Sequence, residues 1–290
     1  RKFYGPSTLR LGLEYSRNLM TVRLAREMGM DAVSEIGRRF EIGDYAETLA
    51  YSLGAGETTL MQLTSAYGEL VNGGKDITPS LIDRVQDRYG KTIYRADTRS
   101  CEGCNADDWT GEAPPTPEDT RDQVLDPRYA YQVVHMLAGV VERGTARRQM
   151  TQIKQTTAGK TGTTNGPNDL WFLGFSPDLA VGVYIGFDQP RMLGKREYGN
   201  TGATPAFAKV MEKALEGTPD IPFRTPPGIR FVEVDFTTGL PGEGDGGLRI
   251  LEAFIPGTEP APDTALSGFG GFADGNGGGS TLASETGGIY

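Results

Sequence analysis

Apolar positions recur at helical spacing through the early part of the chain and later give way to the two-residue alternation of strands. Residues 7–15 read as a short helix, and Leu19, Val22, Ala25 and Met28 form one stripe of a second helix that Gly29 stops. Ser16-Arg17-Asn18 is the corner between them. Leu60, Leu63, Tyr67 and Leu70 keep the helical period, predicting a helix over roughly 59–71 closed by Asn72-Gly73-Gly74. Residues 77–95 read as two strands joined at Tyr89-Gly90, and 96–125 as a polar, Pro-rich exposed loop. Asp126 and Pro127 are a cap and first turn, predicting a helix to about Glu142 that Gly144 ends. Strands follow around 153–164, 169–176 and 179–187, then a helix near 206–215. The alternating run from Phe231 to Phe236 predicts a hairpin over 229–255. From about 261 the sequence has too little apolar content to offset ordering entropy and is expected to be disordered.

Helices, then a mainly antiparallel sheet, then a helix packing back describe an α+β fold. The 290 residues, 37% hydrophobic, can bury a substantial core. A net charge of −9 argues against nucleic acid as a partner, because nonspecific binding rests on dense Lys and Arg. No apolar run is long enough to span a bilayer. The chain opens on Arg1 directly into patterned sequence, which we read as a fragment whose anchor or address lies elsewhere. Cys101 and Cys104 supply only half of a tetrahedral zinc site. We read them as a local disulfide formed in an oxidising compartment, ahead of free thiols and of a thioredoxin-type redox centre.

The segment Ala158 to Phe175, AGKTGTTNGPNDLWFLGF, contains a Gly-Lys-Thr that could suggest a phosphate loop. Such a loop needs another glycine five residues before the Gly-Lys, where Lys154 stands, and a helix afterwards, where the pattern is strand-like. The lysine is therefore a strand-borne cation flanked by hydroxyls. A Ser-His-Asp triad is equally poorly supported. His135, the single histidine, lies mid-helix and reads as a packed or half-exposed residue, and there is no Gly-x-Ser-x-Gly elbow. Acyl transfer on this chain would require a lysine base.

Ser16-Arg17-Asn18 and Lys160-Thr161-Gly162 occur in the order and settings of a Ser-x-Asn helix corner and a Lys-Thr-Gly strand. With SRNLMTVRLA, GAGETTLMQLTSAYGELVNGGK and the segment around Lys160, the chain resembles the transpeptidase domain of class A, bifunctional penicillin-binding proteins over most of residues 1–216. The resemblance implies a serine β-lactamase/DD-transpeptidase-like fold, here lacking its N-terminal part. It divides the chain into a partial transpeptidase domain (1–228), a C-terminal β extension (229–260) and a Gly-rich tail (261–290).

The same resemblance implies roles for individual residues. Lys160 would attract the terminal carboxylate of a D-Ala-D-Ala stem peptide or a β-lactam, helped by the hydroxyls of Thr161 and Thr163. Gly162 would let substrate lie against the strand, with Thr164 completing the substrate-binding stretch. The Thr163 N–H would be one oxyanion donor. Ser16 would relay a proton to the leaving amine, and Asn18 would orient the upstream lysine and the substrate amide. No metal or organic cofactor is implied.

No serine in the chain is followed three residues later by lysine, the nearest mimic being Ser7-Thr8-Leu9-Arg10, and a guanidinium cannot accept the serine proton. In the family the Ser-x-x-Lys nucleophile motif precedes the Ser-x-Asn corner by some tens of residues, which places it before Arg1. The chain alone is expected to be inactive. The parent is expected at the periplasmic face of the bacterial inner membrane, anchored outside this chain, joining a glycosyltransferase to the transpeptidase and working with other cell-wall synthesis proteins. The rival readings are a serine β-lactamase and a non-catalytic peptidoglycan-binding module.

Overall fold

The computed structural model describes residues 4–104, 108, 110–242 and 247–260. The tail expected to be disordered, 261–290, lies outside the described residues. Two helices open the chain, α1 (Leu9–Glu14) and α2 (Asn18–Met28), followed directly by α3 (Met30–Arg39). The hydrophobic period alone passes over α3. Gly29, with φ of 89°, ends one helix and begins the next without any side-chain cap to mark the second start. A 3-10 turn, Leu49–Leu53, leads to α4 (Leu60–Val71). A reciprocal pair of bonds between Thr59 and Gln62 forms a capping box that fixes where α4 starts.

The strands expected over 77–95 are shorter than their pattern, β1 (Arg84–Gln86) and β2 (Thr92–Arg95), an exposed antiparallel pair. The Asp87 carboxylate accepts the N–H groups of Tyr89 and Lys91 and so builds the turn between them. In the following loop Cys101 and Cys104 are joined as a disulfide, with Cα atoms 5.5 Å apart. The long helix α5 (Pro127–Glu142) starts on Asp126, whose carboxylate accepts the Arg128 N–H at 2.8 Å, and Pro127 occupies its first turn.

Among the described residues three antiparallel strands, β3 (Ala158–Thr163), β4 (Leu170–Phe175) and β5 (Ala180–Ile185), form the central sheet in sequential order, so β3 is an edge there. Helices cover both faces of β4, and this explains its unbroken apolar run. Phe172 meets Phe207 of α6 (Ala203–Ala214) with ring centroids 4.5 Å apart. Phe175 points to the other face, toward Tyr67 of α4 at 6.3 Å. Val134, Leu137 and Val140 of α5 join Phe172, Phe207 and Met211 in one buried cluster. Truncating either of these phenylalanines to alanine would cost about 3–5 kcal/mol.

The chain ends in a hairpin of β6 (Arg230–Asp235) and β7 (Arg249–Phe254), whose Val234, Ala253 and Phe254 are buried. It lies on the α1 and α5 side, where Gln132 of α5 donates to the Ala253 carbonyl. His135 packs there too, between Tyr131 and Phe231. Among the described residues no helix is long and apolar enough to cross a membrane.

Candidate active site

The corner between α1 and α2 is built on an unusual backbone. Tyr15 closes α1, Ser16 adopts a left-handed φ of 52°, and Arg17 is extended before α2 begins. The reversal is held by the Arg17 N–H, which donates to the Gly12 carbonyl at 2.8 Å, and by the Ser16 N–H on Leu13 at 3.1 Å. Arg17 turns away to donate to the Ser7 hydroxyl at 2.8 Å and lies over the Tyr4 ring at 4.2 Å. The helix N-terminus receives no side-chain cap bond. Ser16 and Asn18 thus do not serve α2 as caps, although both are residue types favoured for that purpose.

Across from this corner runs β3. Lys160 donates to the Ser16 hydroxyl at 2.8 Å and to the Thr161 carbonyl at 3.0 Å. Burial pushes its ammonium down to about 8 from the ordinary 10.5, because the charged form loses solvation. The Thr161 hydroxyl meets the Thr145 hydroxyl at 3.1 Å. The Thr163 hydroxyl accepts the Gly199 N–H at 2.9 Å, which leaves its own proton free to donate outward.

These groups border a cleft of about 320 Å³ lined by Ser16, Asn18, Thr145, Thr161, Thr163, Tyr198, Gly199 and Asn200. Thr164, adjacent in sequence, is placed differently. Its hydroxyl donates to the Asp169 carboxylate and accepts the N–H groups of Asn168 and Asp169, tying down the 165–169 loop. Gly162 sits between the two threonines, under the segment that carries Gly199. A Cβ on Gly199 would fall 2.5 Å from the Gly162 carbonyl oxygen and 2.9 Å from that of Trp171, so only glycine lets this wall close on the strand.

The residues matching the penicillin-binding protein transpeptidase domain model are 1–212. The chain belongs to the penicillin-binding protein transpeptidase family. The chain is 42% identical over 242 residues to penicillin-binding protein 1A of Rickettsia bellii, covering 82% of this chain and 30% of that protein. The crystal structure of penicillin-binding protein 1A from Haemophilus influenzae is similar at 32% identity with a TM-score of 0.77, over 90% of this chain and 41% of that one. PonA1 from Mycobacterium tuberculosis, solved in complex with penicillin V, shares the fold at 21% identity and a TM-score of 0.60, over 75% and 59%. The chain therefore spans about a third of the length of the curated relatives it matches.

Thr145, Tyr198, Gly199 and Asn200 belong to none of the motifs legible in the sequence. Tyr198-Gly199-Asn200 carries a turn signature, but nothing in it marks chemistry. Thr145 follows a helix-stopping glycine and reads as ordinary loop.

Proposed function

We propose that these residues form the carboxylate-binding and proton-relay walls of a serine D,D-transpeptidase that cross-links peptidoglycan through D-Ala-D-Ala stem peptides and is a penicillin target. The observation that carries this reading is the 2.8 Å contact between Lys160 and Ser16, at a cleft where the hydroxyls of Thr161 and Thr163 converge. A carboxylate entering there meets a cation and two hydroxyls. Gly162 and the unpaired side of β3 give room for the donor peptide to lie as an added strand, and the Thr163 N–H serves as an oxyanion donor.

The relay follows from donor and acceptor accounting. The Ser16 oxygen accepts a hydrogen bond from Lys160, so its own hydrogen is directed elsewhere, toward the departing D-Ala nitrogen. When that nitrogen takes the proton, the Ser16 oxygen is refilled through the hydrogen-bonded lysines. The side-chain amide of Asn18, on the same wall, orients the substrate amide and the second lysine.

The nucleophilic serine and its lysine come from a part of the protein outside these 290 residues, since the chain holds no Ser-x-x-Lys. Residues 1–228 constitute the partial transpeptidase unit and 229–260 a β extension of it. By similarity to the 1A proteins, the parent works at the periplasmic face of the inner membrane and pairs this activity with glycan polymerisation. The fold neighbour PonA1 was solved in complex with penicillin V, which supports β-lactams as ligands. The test is covalent labelling with a fluorescent penicillin, read on denaturing gels. The full-length protein is expected to be labelled and the 290-residue chain to remain unlabelled. Labelling of the short chain would refute the external nucleophile, and no labelling of the folded full-length protein would refute the function.

A further inference from the structure

Two links join the walls of the cleft, and only one is stiff. The Lys160–Ser16 contact is made by a long side chain able to reach over a range of separations. The other link runs through Thr145. Its backbone N–H donates to the Glu14 carbonyl at 3.2 Å, two residues before Ser16, while its hydroxyl meets that of Thr161, the residue after Lys160. Both anchors are firm. The Glu14 side chain is fully buried and held by Arg10 at 3.1 Å and Arg143 at 2.8 Å, and Thr161 sits in the β3–β4 ladder opposite Phe172. Gly144 makes the approach feasible, because a Cβ there would collide with the Glu14 carbonyl oxygen.

We propose that Thr145 is a positioning residue that, tied to the Ser16 corner through its backbone, turns the Thr161 hydroxyl of the Lys160 strand toward the carboxylate of the acyl donor. This rests on the transpeptidase reading given above. A hydroxyl has one proton to give. If Thr161 donates to Thr145, it has nothing left for the carboxylate. If Thr145 donates to Thr161, the Thr161 proton points into the cleft beside that of Thr163, which is already oriented by the Gly199 N–H. An ionised carboxylate only accepts hydrogen bonds, so its arrival selects the second arrangement. Thr145 also has the restricted χ1 of a β-branched residue, which suits a positioning residue.

The test uses the full-length protein with Thr145→Val, which keeps the shape and loses the hydroxyl, Thr145→Ser, which keeps the hydroxyl, and Lys160→Ala. The second-order acylation rate is measured with a fluorescent penicillin and with its methyl ester. Thr145→Val is expected to slow acylation by the free acid about tenfold, the scale of one hydrogen bond to a charged group, while changing the ester rate little. Thr145→Ser should stay within about threefold of wild type for both. A wild-type rate for Thr145→Val, equal slowing of acid and ester, or a Ser variant as impaired as the Val variant would each overturn the inference. A Thr145→Val protein that fails to fold is replaced by Thr145→Ala, with the same expectations. If Lys160→Ala is impaired while Thr145→Val is not, this inference alone falls; if neither is impaired, the reading of the cleft falls with it.

Discussion

Arg10 of α1 and Glu252 of β7, 242 residues apart in sequence, form a two-pronged ion pair in the interior, with Arg10 only 3% exposed. The same guanidinium reaches Glu14 and contacts the imidazole of His135, so the terminal hairpin is wired to the helix that leads into the Ser16 corner. Burial pushes the Glu252 carboxyl up, but the bonds from Arg10 and His135 outweigh it and hold the group at about 2. A carboxyl depressed below its unfolded value contributes stability that is present above about pH 4.5 and is lost as pH falls toward 2. Glu252→Gln should therefore lower stability by about 3 kcal/mol at pH 7 and by progressively less in acid. Urea unfolding of both proteins between pH 2 and 7 measures this; a difference independent of pH would mean that the ion pair is not its source.

Lys160 sets a different pH dependence. Its ammonium, lowered to about 8, is mostly charged at pH 7 and mostly neutral by pH 9. The second-order rate of acylation reports the free enzyme, so it should fall as pH rises through 8, by about tenfold at pH 9. Removing the cation with Lys160→Ala should slow acylation roughly 30-fold or more at pH 7 while leaving the fold intact. The stability trend has the opposite sign. The unfolded chain binds this proton more tightly between about 8 and 10.5, so the lysine destabilises the fold least at high pH. Stopped-flow acylation of the full-length protein with the fluorescent penicillin from pH 6 to 10, for wild type and Lys160→Ala, checks the first two statements; a rate that stays flat to pH 10 contradicts the lowered value.

Glu69, on α4 and 2% exposed, has one carboxylate oxygen without a hydrogen-bond partner. Burial, with smaller contributions from Asp76 and Glu41, raises this group to about 7. The folded state thus holds a proton that the unfolded state has released, and stability declines as pH rises from about 4.5 through 7. Glu69→Gln should be nearly neutral at pH 4.5 and should stabilise the protein by about 3 kcal/mol at pH 8. Thermal melts at the two pH values decide it, and equal shifts at both would disprove a titrating Glu69.

Gly199 closes the cleft by lying against the backbone of Gly162. Gly199→Ala must displace that wall, since the added methyl meets backbone oxygens and not yielding side-chain ends. A loss of about 1–3 kcal/mol is expected, together with slower penicillin acylation, because the N–H that orients Thr163 moves too. Wild-type values in calorimetry and labelling would show that the loop shifts freely.

Sequence was informative where a local rule decides the outcome. Asp126 and Pro127 announce α5, the stripe of Leu60, Leu63, Tyr67 and Leu70 announces α4, and the triplets at Ser16 and Lys160 lead to a shared cleft. It was silent where geometry depends on groups every residue possesses. Nothing marks Thr145 or Gly199, because each is placed by a backbone amide, directed at Glu14 and at Thr163, and the Thr145 hydroxyl gains its partner Thr161 only through that placement. α3 went unread because one glycine serves two helices. Thr164 illustrates the converse: its place beside a motif suggested substrate contact, yet Asp169 claims its hydroxyl.

The left-handed Ser16 has a consequence for how this domain can change. A side chain held there raises the folded state by roughly 1–2 kcal/mol, which glycine would relieve at once. Ser16→Gly should accordingly melt higher while acylating poorly, a result that calorimetry beside a labelling gel would reveal. The sturdiest sequence for this corner is thus one that forfeits its reactive oxygen, and thermal hardiness alone would lead a lineage away from it.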